Sequence, residues 1–168
     1  MASQQQTSTT PEADRDRWRT PAWLFAFLSA RFGPFGIDLA ADETNALCEE
    51  FFTREDDALS QSWAGLNCFA NPPFSSPSPW VEKAVIEADL GASTTLILPA
   101  HRNERWASLA RRATERIEFE GRVNYLRPDG VQQNGNSGGT QVLHFRAYDL
   151  GYTRTVWVKT RELMERYG

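Results

Sequence analysis

The sequence predicts an α/β fold: a mostly parallel sheet with helices on both faces and an antiparallel edge. Three observations lead there. Apolar strand segments alternate with helical segments over the first two thirds of the 168 residues, the pattern of parallel pairing through crossover helices. The segment Thr94-Thr95-Leu96-Ile97-Leu98 is continuously apolar and β-branched, as a strand buried on both faces is. The last third brings strand segments close together, which asks for antiparallel pairing. One domain is expected over residues 16–168, behind a disordered Gln/Ser/Thr-rich tail at 1–15.

The elements follow in order. Thr20 is placed to cap the first helix, with Pro21 at its first helical position, where a missing N–H costs nothing. Trp23, Leu24, Phe27 and Leu28 then share a face, and Gly33-Pro34 stops the helix. Residues 36–41 read as a short buried strand running into a loop, 44–52 as a helix, and Asp57-Ala58-Leu59 as a loop. Residues 66–70 form a second buried strand, ended at Asn71-Pro72-Pro73-Phe74 because two prolines cannot continue a ladder. Ser78-Pro79-Trp80 opens a helix to residue 90, closed by Gly91. The strand at 94–98 halts at Pro99, and 103–114 reads as another helix. Strands are expected at 117–126 and 140–147, joined by a mobile polar loop over 128–139. A strand at 153–158 and a helix at 162–167 finish the chain.

Composition narrows the function. The net charge of −4 and pI near 5.3 argue against a protein that works by coating nucleic acid, while leaving room for an enzyme with local basic patches. Arg102, Arg105, Arg111, Arg112, Arg116 and Arg122 are candidates for such a patch, although an ordinary solvated helix face explains them as well. Cys48 and Cys68 lack CxxC spacing and read as reduced thiols. No His/Cys/carboxylate cluster has metal-ligand spacing. No apolar run approaches membrane-spanning length, and the start of the chain lacks the apolar region of a signal peptide. A soluble, intracellular protein without membrane contact is expected.

Three unusual loops follow the predicted parallel strands: Ala40-Ala41-Asp42, Asn71 to Ser76, and Pro99-Ala100-His101. Open α/β sheets bind ligands beyond the carboxyl ends of their strands, so these loops are expected to share one crevice. The diproline loop carries the chemistry. Its prolines stiffen the turn and remove backbone donors. The Asn71 side-chain oxygen and the Pro72 carbonyl are then able to accept from one planar NH₂ group, while Phe74 stacks on the heterocycle bearing it. Two fixed acceptors favour a more tetrahedral nitrogen and expose its lone pair, without a strong general base. His101 and His144 are given no role, a lone strand histidine being usually a packing residue.

From Asp16 to about Tyr148 the chain resembles the phage-type DNA adenine-N6 methyltransferases. The resemblance rests on ordered elements: Asp16-x-Trp18-x-Thr20-Pro21 with Leu24-Phe25; Phe35-Gly36-Ile37-Asp38-Leu39-Ala40-Ala41 with Asn45-Ala46; Phe52-Thr53 and Asp57-Ala58-Leu59; Asn71-Pro72-Pro73-Phe74-Ser75; Leu98-Pro99-Ala100 with Trp106; and Glu120-Gly121-Arg122-Val123. It implies a Rossmann-like class I methyltransferase binding S-adenosylmethionine. Thr20 and Pro21 would border the cofactor's methionine end, and Asp38 would pair with its ammonium. Ala40 and Ala41 would allow close backbone approach, and Asp57 with Leu59 would lie beside the adenosine. Asn71, Pro72, Pro73 and Phe74 would hold an adenine extruded from DNA, with Asn71 also reaching the cofactor site. The glycine-rich cofactor loop common among methyltransferases is absent, and Phe74 stands where Tyr is commoner. His101-Arg102-Asn103-Glu104 departs from the Arg-Thr-Asp-Thr that relatives often carry. Sequence readout falls to loops or to a second copy of the chain in a homodimer. Two rival readings remain: methylation of an RNA base or a protein glutamine nitrogen, and an inactive module that only binds DNA or a partner.

Overall fold

A computed structural model describes residues 16–100, 104–132, 139–148 and 150–168. The expected tail at 1–15 lies outside the described residues, as do His101, Arg102, Asn103 and the middle of the 128–139 loop. The elements run α1 (Ala22–Phe32), β1 (Ile37–Asp38), β2 (Glu50–Phe51), β3 (Asn67–Ala70), α2 (Ser78–Asp89), β4 (Ser93–Pro99), α3 (Glu104–Ala107), β5 (Glu115–Glu120), β6 (Thr140–Phe145), β7 (Arg154–Lys159) and α4 (Thr160–Tyr167). One sheet takes all seven strands in the order β2-β1-β3-β4-β6-β5-β7. Every pairing is parallel except the two that β6 makes, with β4 and with β5. The antiparallel element therefore sits in the half of the sheet built by the last third of the chain.

Strand alternation splits the core into two layers. On one face Cys68, Ala70, Leu96, Leu98, Leu143 and Phe145 pack against Val81, Ala84 and Ala88 of α2. On the other, Phe69, Ile97, Ile117 and Val142 meet Trp23, Leu24, Phe27 and Leu28 of α1, with Leu163 and Tyr167 of α4 beside them. Helices thus cover both faces, as expected, and the pattern is that of a Rossmann-like methyltransferase. The predicted strands at 36–41, 66–70, 94–98, 140–147 and 153–158 are present in register with these layers.

Several boundaries differ from expectation, each for a local reason. Residues 44–52 are turns followed by β2. Asp42 accepts the Thr44 N–H at 2.8 Å, Asn45 accepts the Asp42 N–H at 2.7 Å, and Asp38 accepts the Leu47 N–H at 3.2 Å. Side-chain acceptors have taken the backbone donors a helix needs. Thr20 does not cap α1. Pro21 is extended (ψ 144°) and takes the N-cap position itself, its carbonyl accepting from Leu24 and Phe25. In α2, Pro77 precedes a helix that already includes Ser78, and no side chain caps it. The 103–114 helix breaks into α3 and a 3-10 turn at Leu109–Arg112. There Thr114 is recruited to the sheet, donating its N–H to the His144 carbonyl at 2.9 Å and accepting from Arg154 at 3.0 Å. β5 ends at Glu120, before Gly121 at φ 101°, where a side chain would meet Thr160.

His144 is a packing residue. Its Nδ1 shares a 2.8 Å hydrogen bond with Thr95 Oγ1, and its ring stacks on Phe32 at 4.0 Å. Burial, with Arg146 and Arg31 nearby, pushes its pKa from the usual 6.5 down to about 3. The folded chain keeps it neutral while the unfolded chain takes up a proton. The stability it supplies near neutral pH is therefore lost as pH falls through 6.5 towards 3, by up to about 1.4 kcal/mol per pH unit. In urea titrations the stability advantage of the parent chain over His144→Gln should shrink between pH 7 and pH 4. Asp38, whose contribution runs the opposite way, cancels in that comparison.

Candidate active site

Chain reversal locates the site. From β1 the chain steps outward to β2, then returns across β1 to β3, so the strand order reverses between β1 and β3. Ligands of open α/β sheets sit at this kind of crevice, beyond the carboxyl ends of the strands. Asp38 pairs with Phe69, and the Leu39 N–H bonds the Phe69 carbonyl at 2.8 Å, which carries the register on towards Ala40 and Asn71. Ala40 and Asn71 thus leave neighbouring strands at the same end of the sheet.

At the end of β3 the diproline corner is only half buried: Pro72 is enclosed, while Asn71, Pro73 and Phe74 are partly exposed and Ser75 is open to solvent. Asn71 Nδ2 donates to the Trp18 carbonyl at 3.0 Å. A carbonyl only accepts, so this bond fixes the amide nitrogen inward and turns Oδ1 the other way. Among the described residues, nothing donates to Asn71 Oδ1 or to the Pro72 carbonyl. Pro73 by contrast accepts from Ser76 at 3.3 Å. Phe74 meets Tyr125 edge-on at 5.5 Å, and the Tyr125 hydroxyl shares a 2.9 Å bond with Thr140 Oγ1.

The segment before α1 fastens the loops together. Asp16 accepts from the Ser75 N–H at 3.1 Å and from its hydroxyl at 2.6 Å. Arg19 exchanges both backbone bonds with Leu126 and reaches Thr44 Oγ1 at 3.0 Å. Leu126 in turn bridges to Gln132. Past β4, the Ala100 N–H bonds the Gly139 carbonyl at 3.1 Å, and Gln141 bonds the Pro99 carbonyl at 2.9 Å. The loops after β1, β3 and β4 all contribute to one end of the sheet.

Asp38, the acid at the end of β1, is buried with 3% exposure. Its carboxylate accepts from the Ala40 and Leu47 amides at 3.2 Å each, bracing the loop where a helix was expected. Burial nevertheless wins over those bonds and raises its pKa from 3.8 to about 6. A carboxyl held this way gains from a cation. Ala40 and Ala41 are half buried beside it, and the Ala41 N–H is taken by the Phe52 carbonyl at 3.1 Å. Thr20 and Pro21 are both buried just beyond Trp18, and the Thr20 hydroxyl, released from capping, bonds no described residue.

Asp57 and Leu59 stand further out, beyond β2. Asp57 is exposed in the left-handed region (φ 49°) and leads into a 3-10 turn at Ala58–Ser60. Trp63 secures that turn: its indole donates to the Ala58 carbonyl at 2.8 Å, and its own N–H goes to the buried carboxylate of Glu87 at 2.8 Å. Among the described residues, no hydrogen bond joins Asp57 or Leu59 to the Asp38–Asn71 group.

The arginine cluster is not one patch. Arg111 and Arg112 precede β5 and Arg122 follows it, which puts them at opposite ends of the strands, with Arg112 paired to Asp89 at 2.8 Å. The side of Arg122 is the side of the crevice, because β5 runs parallel in sense to β4. Arg17 and Arg19 join that side, close enough to Asp42 to lower its pKa alongside the Thr44 bonds. Both cysteines are free, and burial pushes their thiols up, Cys48 to about 11 and Cys68 to about 12. Among the described residues, no group of three or more His, Cys, Asp or Glu side chains is placed to hold a metal.

Comparison with known proteins adds a family. A model described as DNA N-6-adenine-methyltransferase (Dam) matches residues 7–168. The chain belongs to this family. It is 27% identical over 165 residues to the DNA N-6-adenine-methyltransferase of Haemophilus phage HP1 (strain HP1c1), covering 95% of each chain. It is 34% identical over 111 residues to the DNA N-6-adenine-methyltransferase of Escherichia phage T1, covering 66% of this chain and 47% of that one. The chain therefore spans about half the length of the phage T1 relative. Within the family's matched region lie Asp38, the diproline corner and the segment that fastens it. No helix among the described residues is long and apolar enough to cross a membrane.

Proposed function

We propose that the chain transfers a methyl group from S-adenosylmethionine to the exocyclic N6 of adenine in DNA. The observation that carries this is the pair of open acceptors at the diproline corner, Asn71 Oδ1 and the Pro72 carbonyl, in a loop that also carries the partly exposed ring of Phe74. The adenine is drawn out of the duplex, because its N6 is unreachable in the stack.

The residues divide the work. Phe74, backed by Tyr125, stacks on the purine. Asn71 Oδ1 and the Pro72 carbonyl accept the two N6 hydrogens, withdraw the nitrogen from the ring plane and aim its lone pair. Because Pro72 and Pro73 have no N–H, no donor competes for the incoming nitrogen. Methylated nitrogen carries one proton too many and is acidic, so neutral oxygen acceptors and water suffice to remove it. When bound, S-adenosylmethionine supplies the electrophilic methyl group. Asp38 fits its ammonium: a buried carboxyl that desolvation keeps part-protonated is relieved by a cation. Thr20 and Pro21 border that end, Ala40 and Ala41 let backbone come close, and Asp57 with Leu59 reach the adenosine.

The reaction belongs in the cytoplasm of a bacterial cell hosting the phage or prophage. Arg17, Arg19 and Arg122 supply positive charge towards DNA on an otherwise acidic chain. Sequence readout rests with the loops around the corner or with a second copy of the chain.

Labelled S-adenosylmethionine offered with separate DNA, RNA and protein pools tests the reading: label should enter DNA alone, as N6-methyladenine. Label in RNA or in protein glutamine would replace it. Asn71→Ala should abolish turnover while the thermal midpoint stays within a few degrees. Phe74→Ala should cost about 10- to 100-fold in kcat/KM and Phe74→Tyr little, base stacking being worth roughly 1–3 kcal/mol. For Asp38 the pH dependence has a fixed sign. Protonation below about 6 removes the charge that holds the ammonium. Cofactor affinity measured by calorimetry should fall as pH drops from 7 to 5, and Asp38→Asn should be weak and flat throughout.

A further inference from the structure

Asp16 and Trp18, just before α1, bond the corner at both of its ends. Trp18 holds Asn71 through its carbonyl, and Asp16 holds Ser75 through both carboxylate oxygens, so the two prolines lie between two anchor points. The corner has little with which to hold itself. Pro72 and Pro73 donate nothing, and the one internal bond is the 3.3 Å contact from Ser76 to the Pro73 carbonyl. The strap itself is fixed by the paired bonds of Arg19 with Leu126 and by the Arg19–Thr44 contact. It is therefore a firm support against which a loop without donors can rest.

We infer that this strap is a positioning device for the proposed reaction, with Asp16 as its positioning residue: through Ser75 it sets the seating of the corner, and so the direction of Asn71 Oδ1. The inference rests on the reading given above. Asp16 and Ser75 are exposed, and hydrogen bonds between exposed groups contribute little to global stability. Their effect belongs to turnover rather than to folding. A misaligned acceptor pair weakens orientation in the transition state while leaving the cofactor site intact.

Four proteins test it: Asp16→Ala, Asp16→Asn, Ser75→Ala and the double alanine variant. Asp16→Ala should lower kcat on adenine-containing DNA about tenfold, with the S-adenosylmethionine KM within about twofold and the thermal midpoint within about 2 °C. Asp16→Asn should recover most of the loss, because its Oδ1 still accepts the Ser75 N–H and its amide donates to the Ser75 hydroxyl. Ser75→Ala removes only the hydroxyl bond, and the double variant should be no slower than Asp16→Ala, which already removes both bonds to Ser75. Unchanged kcat in Asp16→Ala, additive losses in the double variant, or no rescue by asparagine would overturn the inference. Hydrogen exchange separates this outcome from failure of the reaction assignment. Even if the parent chain methylates no DNA, the Ser75 amide must exchange faster in Asp16→Ala while the β3 amides do not. Equal exchange rates would overturn the strap on their own.

Discussion

Two consecutive residues at the end of β3 have no amide hydrogen, and much of the site follows from that shortage. A chain leaving a strand normally secures its turn with its own N–H groups. Pro72 and Pro73 bring two carbonyls and no N–H; Ser76 takes that of Pro73, and that of Pro72 is left to accept beside Asn71 Oδ1. The same loss leaves the corner dependent on outside contacts, and these come from the Trp18 carbonyl and from Asp16, across more than fifty residues of sequence. An oxygen-rich face and a borrowed support are two results of one covalent fact.

The sheet supplies the second half of the arrangement. Strand order reverses between β1 and β3, the place where open sheets take their ligands, and pairing of Asp38 with Phe69 places a buried acid one short step from the corner. Asp38 does structural and electrostatic work together. Its carboxylate gathers the Ala40 and Leu47 amides, which keeps the loop after β1 irregular and low. Its burial makes a bare negative charge unwelcome there. A ligand cation and an ordered loop are complementary remedies for the same desolvation.

Legibility in the sequence followed the range of the forces. Continuous apolar runs at β3 and β4 and the punctuation of Gly33-Pro34, Asn71-Pro72-Pro73 and Gly91 are local signals, and they marked their elements well. Asp38 at a strand end and the diproline corner stand out in the sequence for the same reason. Residues 44–52 were misread because helix propensity and Asx bonding compete over the same few donors, and Asp42, Asn45 and Asp38 all act on that stretch. The arginines were neighbours in sequence but are parted by the length of β5, about 20 Å of strand. The strap was illegible in principle. Trp18 acts through a backbone carbonyl, which every residue type possesses, and Asp16 meets Ser75 only after the fold has closed.

The inserted strand β6 has an evolutionary consequence. Because β6 runs against its neighbours, β5 before it ends at the crevice edge, and the connection from β5 to β6 must begin and finish there. That connection already supplies Tyr125 behind Phe74 and Leu126 beside Arg19. Residues added between Leu126 and Thr140 would lengthen the chain at that end of the sheet without altering a single strand pairing. A small domain of this topology can therefore grow at that end while its sheet stays fixed.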